Sequence, residues 1–312
     1  MKPQVSVIIP TYNYARFLPN AIDSALAQTF REYEIIVVDD GSTDNTADVA
    51  KRYAGQIRYH HQENRGLSGA RNAGCRLASG ELFAFLDADD EWNREKLERQ
   101  VAVMDASPEL GLVSTYMRFM DADRKALPGR KPAIVPGETL IDIIERGTAA
   151  PSSFMVRRAC FEAAQGFDEQ LTAMEDLDFC LRLARHSPIK HIHEELGLYR
   201  VHGPSLSGNP SKVYPSYIAI FQKLLNDPSA RRAGGIVRRR LARYSYLWGV
   251  HQLKANSAIE GKRWVRAAIA TYPMVGWLLD ASRPWWIRLV NVMKPYVVLL
   301  SVSRKTEAAA DV

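Results

Sequence analysis

The sequence predicts an α/β fold over its first two thirds and an all-helical extension after it. Three observations carry this: short β-branched runs that alternate with helical periodicity, a polar or acidic cluster closing each run, and a change of charge sign near residue 210. Residues 5–10 and 34–39 are apolar at their centres, as strands buried on both faces of a parallel sheet are. Between them Phe17, Ala21, Ala25 and Leu26 recur at helical spacing, which supplies the crossover that two parallel strands require. Residues 44–53 read as a helix, 57–61 as a strand, 68–77 as an alanine-rich helix and 82–86 as a strand ending in Asp87-Ala88-Asp89-Asp90. Four such units make a doubly wound half, in which ligands bind beyond the carboxyl ends of the strands.

Farther along, residues 93–105 read as a helix, 111–119 as a strand and 121–137 as an exposed loop rich in Pro, Gly and charge. Residues 152–156, 161–167, 176–185 and 198–201 supply smaller strand and helix pieces. From residue 213 the pattern is helical, and residues 243–272 look like a two-helix hairpin. Gly203, Pro204, Gly208 and Pro210 mark the boundary, so the expected domains are 1–210 and 211–312.

The formal net charge of +6 conceals this division. Residues 1–210 carry 24 Lys and Arg against 30 Asp and Glu, whereas residues 211–312 carry 17 against 5. A hydrophobic content of 46% in 312 residues excludes a disordered chain. The three cysteines contain no Cys-x-x-Cys pair, which points to a reducing compartment and away from a zinc ribbon. The N-terminus lacks the pattern of a signal peptide, and the apolar stretch 284–303 is broken by Arg288, Asn291, Lys294 and Pro295. A cytoplasmic location is expected.

Four clusters stand at the predicted strand ends. Pro10-Thr11-Tyr12-Asn13 and Asp39-Asp40-Gly41-Ser42 would serve as surface turns, or together as a nucleoside site in which a tyrosine stacks on a base and carboxylates accept from ring N–H or ribose hydroxyls. The G-x-G-x-x-G and P-loop signatures are absent, which removes the main support for a nicotinamide or ATPase reading. Arg71, one turn inside the helix opened by Gly66-Leu67-Ser68-Gly69, is placed to reach a phosphate from the helix N-terminal side. Asp87, Asp89 and Asp90 repel one another unless a cation or hydrogen-bond donors offset them, and hard oxygen ligands suit Mg²⁺ or Mn²⁺. The alternative is a helix cap before Trp92, a role that would suffice for Asp90.

The segments SVIIPTYN, VVDDGSTDNT, LSGARNAG and FLDADD, in this order and spacing, resemble the N-terminal half of family 2 glycosyltransferases. The likeness is dense over residues 4–100 and looser to about residue 207, through Gly166-Phe167-Asp168-Glu169, Met174-Glu175-Asp176-Leu177-Asp178 and Tyr199-Arg200-Val201-His202. It implies a GT-A-type, Rossmann-like mixed sheet flanked by helices. It also implies inverting transfer of a sugar from a UDP- or dTDP-linked donor to a saccharide or lipid-linked saccharide, in cell-surface polysaccharide or glycolipid assembly. By the resemblance, Pro10, Thr11, Tyr12, Asn13, Asp39 and Asp40 hold the nucleoside and Arg71 lies near base or phosphate. Asp87, Ala88 and Asp89 take the ribose and a Mn²⁺ or Mg²⁺ ion, with His202 completing the metal site or touching a phosphate. Glu175-Asp176 supplies the base.

The chemistry supports that assignment, since attack of a hydroxyl on an anomeric carbon needs a base and an electrophile for the departing diphosphate. Asp176, at the start of a helix whose Leu177, Leu181 and Ala184 face a core, is the preferred base, and Glu175 is second. The helix dipole is expected to keep Asp176 ionised. His60 and His61, at the end of the third strand, and His191 and His193, on one strand face, are expected to be structural. Nucleotidyl transfer and a non-catalytic nucleotide-sugar scaffold are the rival functions. In the C-terminal third, Arg231, Arg232, Arg238, Arg239, Arg240, Arg243, Lys262, Arg263, Arg266 and Arg288 accompany Trp248, Trp264, Trp277, Trp285, Trp286 and Tyr296. The pattern fits a helix lying on an anionic leaflet, or a solvated face with packed tryptophans, better than it fits nucleic acid.

Overall fold

The computed structural model describes residues 3–127, 137–203, 208–275 and 292–299. Strands β1 (Val5–Thr11) and β2 (Tyr33–Asp39) pair in parallel, with Val5 opposite Tyr33 and Thr11 opposite Asp39. Their crossover, α1 (Leu18–Leu26), buries Leu18, Ala21, Ile22 and Ala25. Phe17, expected on that apolar face, is instead the residue before the first turn. Helices α2 (Thr46–Lys51) and α3 (Gly66–Leu77) connect the next strands, β3 (Arg58–His61) and β4 (Leu82–Phe85), which pair in parallel with β2 and β1. A Cβ at Gly74 would stand 2.4 Å from an Ile8 methyl, so glycine is what lets α3 lie this close to the sheet.

Beyond β4 the sheet turns mixed. The remaining strands are β5 (Glu91–Trp92), β6 (Leu112–Met120), β7 (Met155–Arg157) and β8 (Ile189–Arg200), and the order is β3-β2-β1-β4-β7-β6-β8-β5. β7 runs antiparallel to both β4 and β6, while β6 and β8 are parallel. Helices α4 (Lys96–Ala106), α5 (Leu140–Arg146), α6 (Arg158–Ala163) and α7 (Glu175–Leu183) flank it.

The structure corrects several boundaries. Pro10 belongs to β1 rather than to a following turn, and lies past the last residue paired with β4, Ile8, where a missing N–H is tolerated. Residues 151–153 form a 3₁₀ turn before β7, and the segment expected at 161–167 opens inside α6. β8 begins nine residues before the strand expected at 198–201 and takes in the strand face expected for His191 and His193, its continuity hidden by the polar run of Lys190, His191, His193, Glu194 and Glu195. Of the loop expected at 121–137, residues 128–136 lie outside the described residues.

The described residues fall into two compact units, the first ending at Gly203. The second contains α8 (Pro210–Leu225), α9 (Gly234–Lys254) and α10 (Ala258–Thr271). α9 and α10 form the expected hairpin, which starts earlier than residue 243. Gly249 and Gly261 let the two backbones approach, with Ala242, Tyr246, Val265, Ala268 and Val275 as their shared core. Trp277, Trp285, Trp286 and Arg288 lie outside the described residues. Among the described residues no helix is long and apolar enough to cross a membrane.

Candidate active site

The ends of β1 and β2 are tied to each other before any ligand is considered. Asn13 adopts a left-handed φ of 56°, which asparagine tolerates, and its Oδ1 accepts from the backbone N–H groups of Thr43 at 2.8 Å and Asp44 at 3.3 Å. Its own N–H donates to Ser42 Oγ at 2.9 Å. Tyr12 is therefore held out at the surface, 46% exposed. Thr11, Asp39 and Asp40 are buried. Asp39 accepts from Tyr59 Oη at 2.6 Å and Ser42 N at 2.8 Å, with His61 Nδ1 at 3.3 Å. Burial pushes this carboxyl up, and the bonds from Ser42, Tyr59 and His61 outweigh it, so Asp39 lies below the usual carboxylate range. Asp40 accepts from Gln62 Nε2 at 2.7 Å and Arg65 N at 2.9 Å. Tyr59 and Gln62 come from the β3 end, and no motif announced them.

At the end of β4 the four-residue acidic run splits into distinct roles. Asp87 and Asp89 keep about a quarter of their side chains exposed, while Ala88 packs in the core as a spacer between them. Asp90 is buried and structural: Ser152 Oγ donates to it at 2.5 Å and the Arg200 N–H at 2.9 Å. Ser152 Oγ also accepts from Asp87 N at 3.0 Å, so one hydroxyl fixes both ends of the run. Arg200 completes the clasp, donating from Nε to the Asp89 carbonyl and from Nη2 to Glu91, each at 2.7 Å. Burial and the neighbouring Asp87 charge push the Asp89 carboxyl up, against the pull of His202.

Arg71 corrects an expectation. It is not a free cation reaching a phosphate from the start of α3 but is 1% exposed, donating to Asp87 Oδ1 and Glu175 Oε1, both at 2.6 Å. Two carboxylates from opposite sides compensate the buried guanidinium, and Phe167 lies 5.3 Å from it. The tie fixes the start of α7, entered through Met174 at a left-handed φ of 62°. Glu175 is thereby committed, whereas Asp176 Oδ1 accepts from Leu177 N at 2.8 Å. Asp178, buried, pairs with Arg182 at 2.7 Å. Burial and the adjacent Glu175 charge push the Asp176 carboxyl up to about 7, which overrides the expected ionising effect of the helix dipole.

Comparison with known proteins agrees with this geometry. Residues 6–163 match Glycosyl transferase family 2. The chain belongs to that family. It is 37% identical over 216 residues to an uncharacterized glycosyltransferase of Nostoc sp., covering 64% of this chain and 65% of that one. An uncharacterized glycosyltransferase of Rickettsia typhi is 32% identical over 229 residues, 72% of each chain, while a Rickettsia felis relative is covered over only 33% of its length. Bacillus subtilis TuaG, a putative teichuronic acid biosynthesis glycosyltransferase, is 41% identical over 107 residues, 33% of this chain and 42% of its own. The crystal structure of S. aureus TarS 1-349 with UDP has a TM-score of 0.65 at 24% identity, covering 98% of this chain and 92% of that one. The mannosyltransferase PcManGT from Pyrobaculum calidifontis, solved with GDP-Man and Mn²⁺, has a TM-score of 0.58 at 21% identity, over 96% and 88%. At these identities the likeness is one of fold, the mixed GT-A-type sheet with flanking helices and a helical C-terminal region.

Of the two donors at this site, the Asp89 carboxylate is a hard oxygen ligand of the kind Mg²⁺ and Mn²⁺ take, and the His202 imidazole is a borderline nitrogen that favours a transition ion such as Mn²⁺ over Mg²⁺. His202 Nε2 is in direct hydrogen-bond contact with Asp89 Oδ2 at 2.9 Å, a spacing that adjacent ligands of an octahedral ion with bonds of about 2.0–2.1 Å also have. One carboxylate with one imidazole leaves most positions of such an ion open, and ions in nucleotide sites fill open positions with phosphate oxygens and water. Among the described residues no group of three or more His, Cys, Asp or Glu is placed to hold a metal. The remaining positions of an ion there would fall to water or to phosphate oxygens.

Proposed function

We propose that the chain transfers one sugar, with inversion, from a nucleoside diphosphate sugar to a hydroxyl of a saccharide or lipid-linked saccharide. The observation that carries this is the Arg71 tie, which holds the donor-side Asp87 and the base segment Glu175-Asp176 as one unit. Tyr12 stacks on the base, uracil or thymine, and Asp39 and Asp40 order the nucleoside side. Asp87 takes the ribose, and Asp89 with His202 holds Mn²⁺ or Mg²⁺. When bound, that ion offsets the charge that develops on the departing diphosphate.

Asp176 accepts the proton of the acceptor hydroxyl at a carboxylate oxygen. The hydroxyl oxygen then bonds to the anomeric carbon from the face opposite the diphosphate, whose bond to that carbon breaks. A carboxyl titrating near 7 suits the task, because it is ionised in part at neutral pH and still basic. The name of the Bacillus subtilis relative TuaG supports a place in cell-surface polysaccharide or glycolipid assembly. The second unit meets an anionic membrane surface: Arg231, Arg232, Arg238, Arg239, Arg263 and Arg266 are exposed, and Ile259 is 85% exposed. Such contact brings the inner face of the cytoplasmic membrane and a lipid-linked acceptor within reach.

The test is a panel of nucleoside diphosphate sugars assayed for Mn²⁺-dependent transfer or slow hydrolysis, with Asp89→Ala as control. Turnover of one or two donors that disappears in Asp89→Ala is expected. Absence of binding and turnover across the panel overturns the reading in favour of a scaffold. Co-sedimentation with anionic vesicles, weakening as salt is raised, checks the membrane contact.

A further inference from the structure

The turn after β1 presents different side chains in two directions. Tyr12 faces outward, and Asn13 fastens the turn to Thr43 and Asp44, with the Ala15 N–H donating to Asp44 at 3.0 Å. Tyr14 and Phe17, from the same turn, close around the His202 imidazole. Phe17 lies 4.5 Å from it between ring centroids, tilted by 41°, and Tyr14 lies 5.7 Å away, edge-on at 76°. The two rings also touch each other, at 5.9 Å. Phe17 is 9% exposed, and the Arg200 guanidinium stands 5.0 Å from its centroid. Arg200 is itself bonded to the Asp89 carbonyl and holds Asp90 through its N–H. His202 thus meets aromatic rings from the nucleoside-facing turn, and Asp89 Oδ2 at 2.9 Å beyond its ring edge.

We infer that Phe17 and Tyr14 form an aromatic shelf that fixes the His202 imidazole against Asp89, making Phe17 a positioning residue that links the nucleoside-facing turn to the cation-facing imidazole. A histidine beyond the end of a strand has two side-chain torsions to lose before it can ligate, and the shelf restricts both before any ion arrives. Asn13 and the Ala15 N–H tie the turn that carries Tyr12 and Tyr14 to residues 42–44. The inference rests on the reading of Asp89 and His202 as a cation site, and the experiment below separates the two.

Histidine-ring NMR of the full chain reads the shelf directly, with the His202 signal assigned by its loss in His202→Gln. In the wild-type chain that signal is displaced upfield by the Phe17 ring it lies against, and substoichiometric Mn²⁺ added alone broadens it before the other six histidines, seven being present. In Phe17→Leu the upfield displacement collapses, and about threefold to tenfold more Mn²⁺ is needed for the same broadening, the range expected from losing one aromatic pair. Phe17→Tyr restores both, and Tyr14→Phe leaves both unchanged because the ring and not the phenol makes the shelf. Should Phe17→Leu not fold, Phe17→Met puts the same question with a flexible side chain of similar reach and no ring. Retention of the upfield shift and of the Mn²⁺ response in the leucine variant overturns the shelf. A shift that collapses while Mn²⁺ never singles out His202 keeps the shelf and overturns the cation reading and the link drawn from it.

Discussion

Arg71 and Glu175 are separated by 104 positions in the chain, yet the guanidinium donates to the carboxylate at 2.6 Å with Arg71 almost wholly buried. Its other arm holds Asp87 at the same distance. Removing the arginine strands two carboxylates beside each other, so Arg71→Met is expected to cost about 3–5 kcal/mol. Arg71→Lys cannot span both partners and is expected to retain only part of that stability. Urea unfolding of the two variants checks this, and both should lose transfer activity more steeply than stability.

Asp176→Asn is expected to lower the turnover rate by about 10²–10⁴-fold while leaving donor binding within a factor of two or so, since only the proton acceptor is removed. In the wild-type chain the rate should rise with pH through about 7, where the Asp176 carboxyl ionises. Stability has the opposite sign. The folded carboxyl binds its proton more tightly than the unfolded one, whose value is 3.8, so stability conferred by Asp176 falls as pH rises from 3.8 through about 7. Asp176→Asn should therefore melt a few degrees higher than wild type at pH 8, a gain that calorimetry resolves.

Ser152→Ala removes the hydroxyl that donates to Asp90 and accepts from the Asp87 N–H. Both groups are left short of a partner near the donor carboxylates, and a loss of about 1–3 kcal/mol is expected. A chemical denaturation curve gives the stability term. A rise in the Mn²⁺ concentration for half-maximal transfer would show that the Asp87–Asp89 run has loosened.

His191 is buried on β8 with Nδ1 2.9 Å from Ser114 Oγ, and burial followed by the nearby His193 lowers its value from 6.5 to about 4. The unfolded chain binds more protons here between pH 4 and 6.5, so stability is full above 6.5 and is lost as pH falls toward 4. His191→Gln keeps a polar partner for Ser114 without titrating. The difference in urea midpoint between wild type and this variant should shift by the equivalent of about 1–3 kcal/mol from pH 7 to pH 4.5, in the direction of wild-type loss. The comparison isolates His191 from Asp176, whose contribution runs the other way over the same window.

The parallel half of the fold was legible because β1, β2 and β4 are buried at their centres on both faces and written there as apolar runs, each closed by its polar cluster. β8 was legible only in pieces, at the face of His191 and His193 and at 198–201, since the polar run around Glu194 and Glu195 breaks its apolar period between them. For the site, the acidic run, Arg71 and the Glu175-Asp176 pair were all visible as residues. Their roles were not equally visible: Asp90 turned out to be held by Ser152 and Arg200, and Arg71 to bind carboxylates instead of reaching outward.

By itself, the sequence determined the alternation of strand and helix, the places where chemistry gathers, and the contrast between an acidic first unit and a basic second one, because period and charge are local properties. Only the tertiary structure decided which charges neutralise each other, which aspartate stays basic and which rings surround His202. Those outcomes depend on burial and on contacts between residues tens to more than a hundred positions apart, where desolvation makes each unpaired charge costly and a partner from another element compensates it.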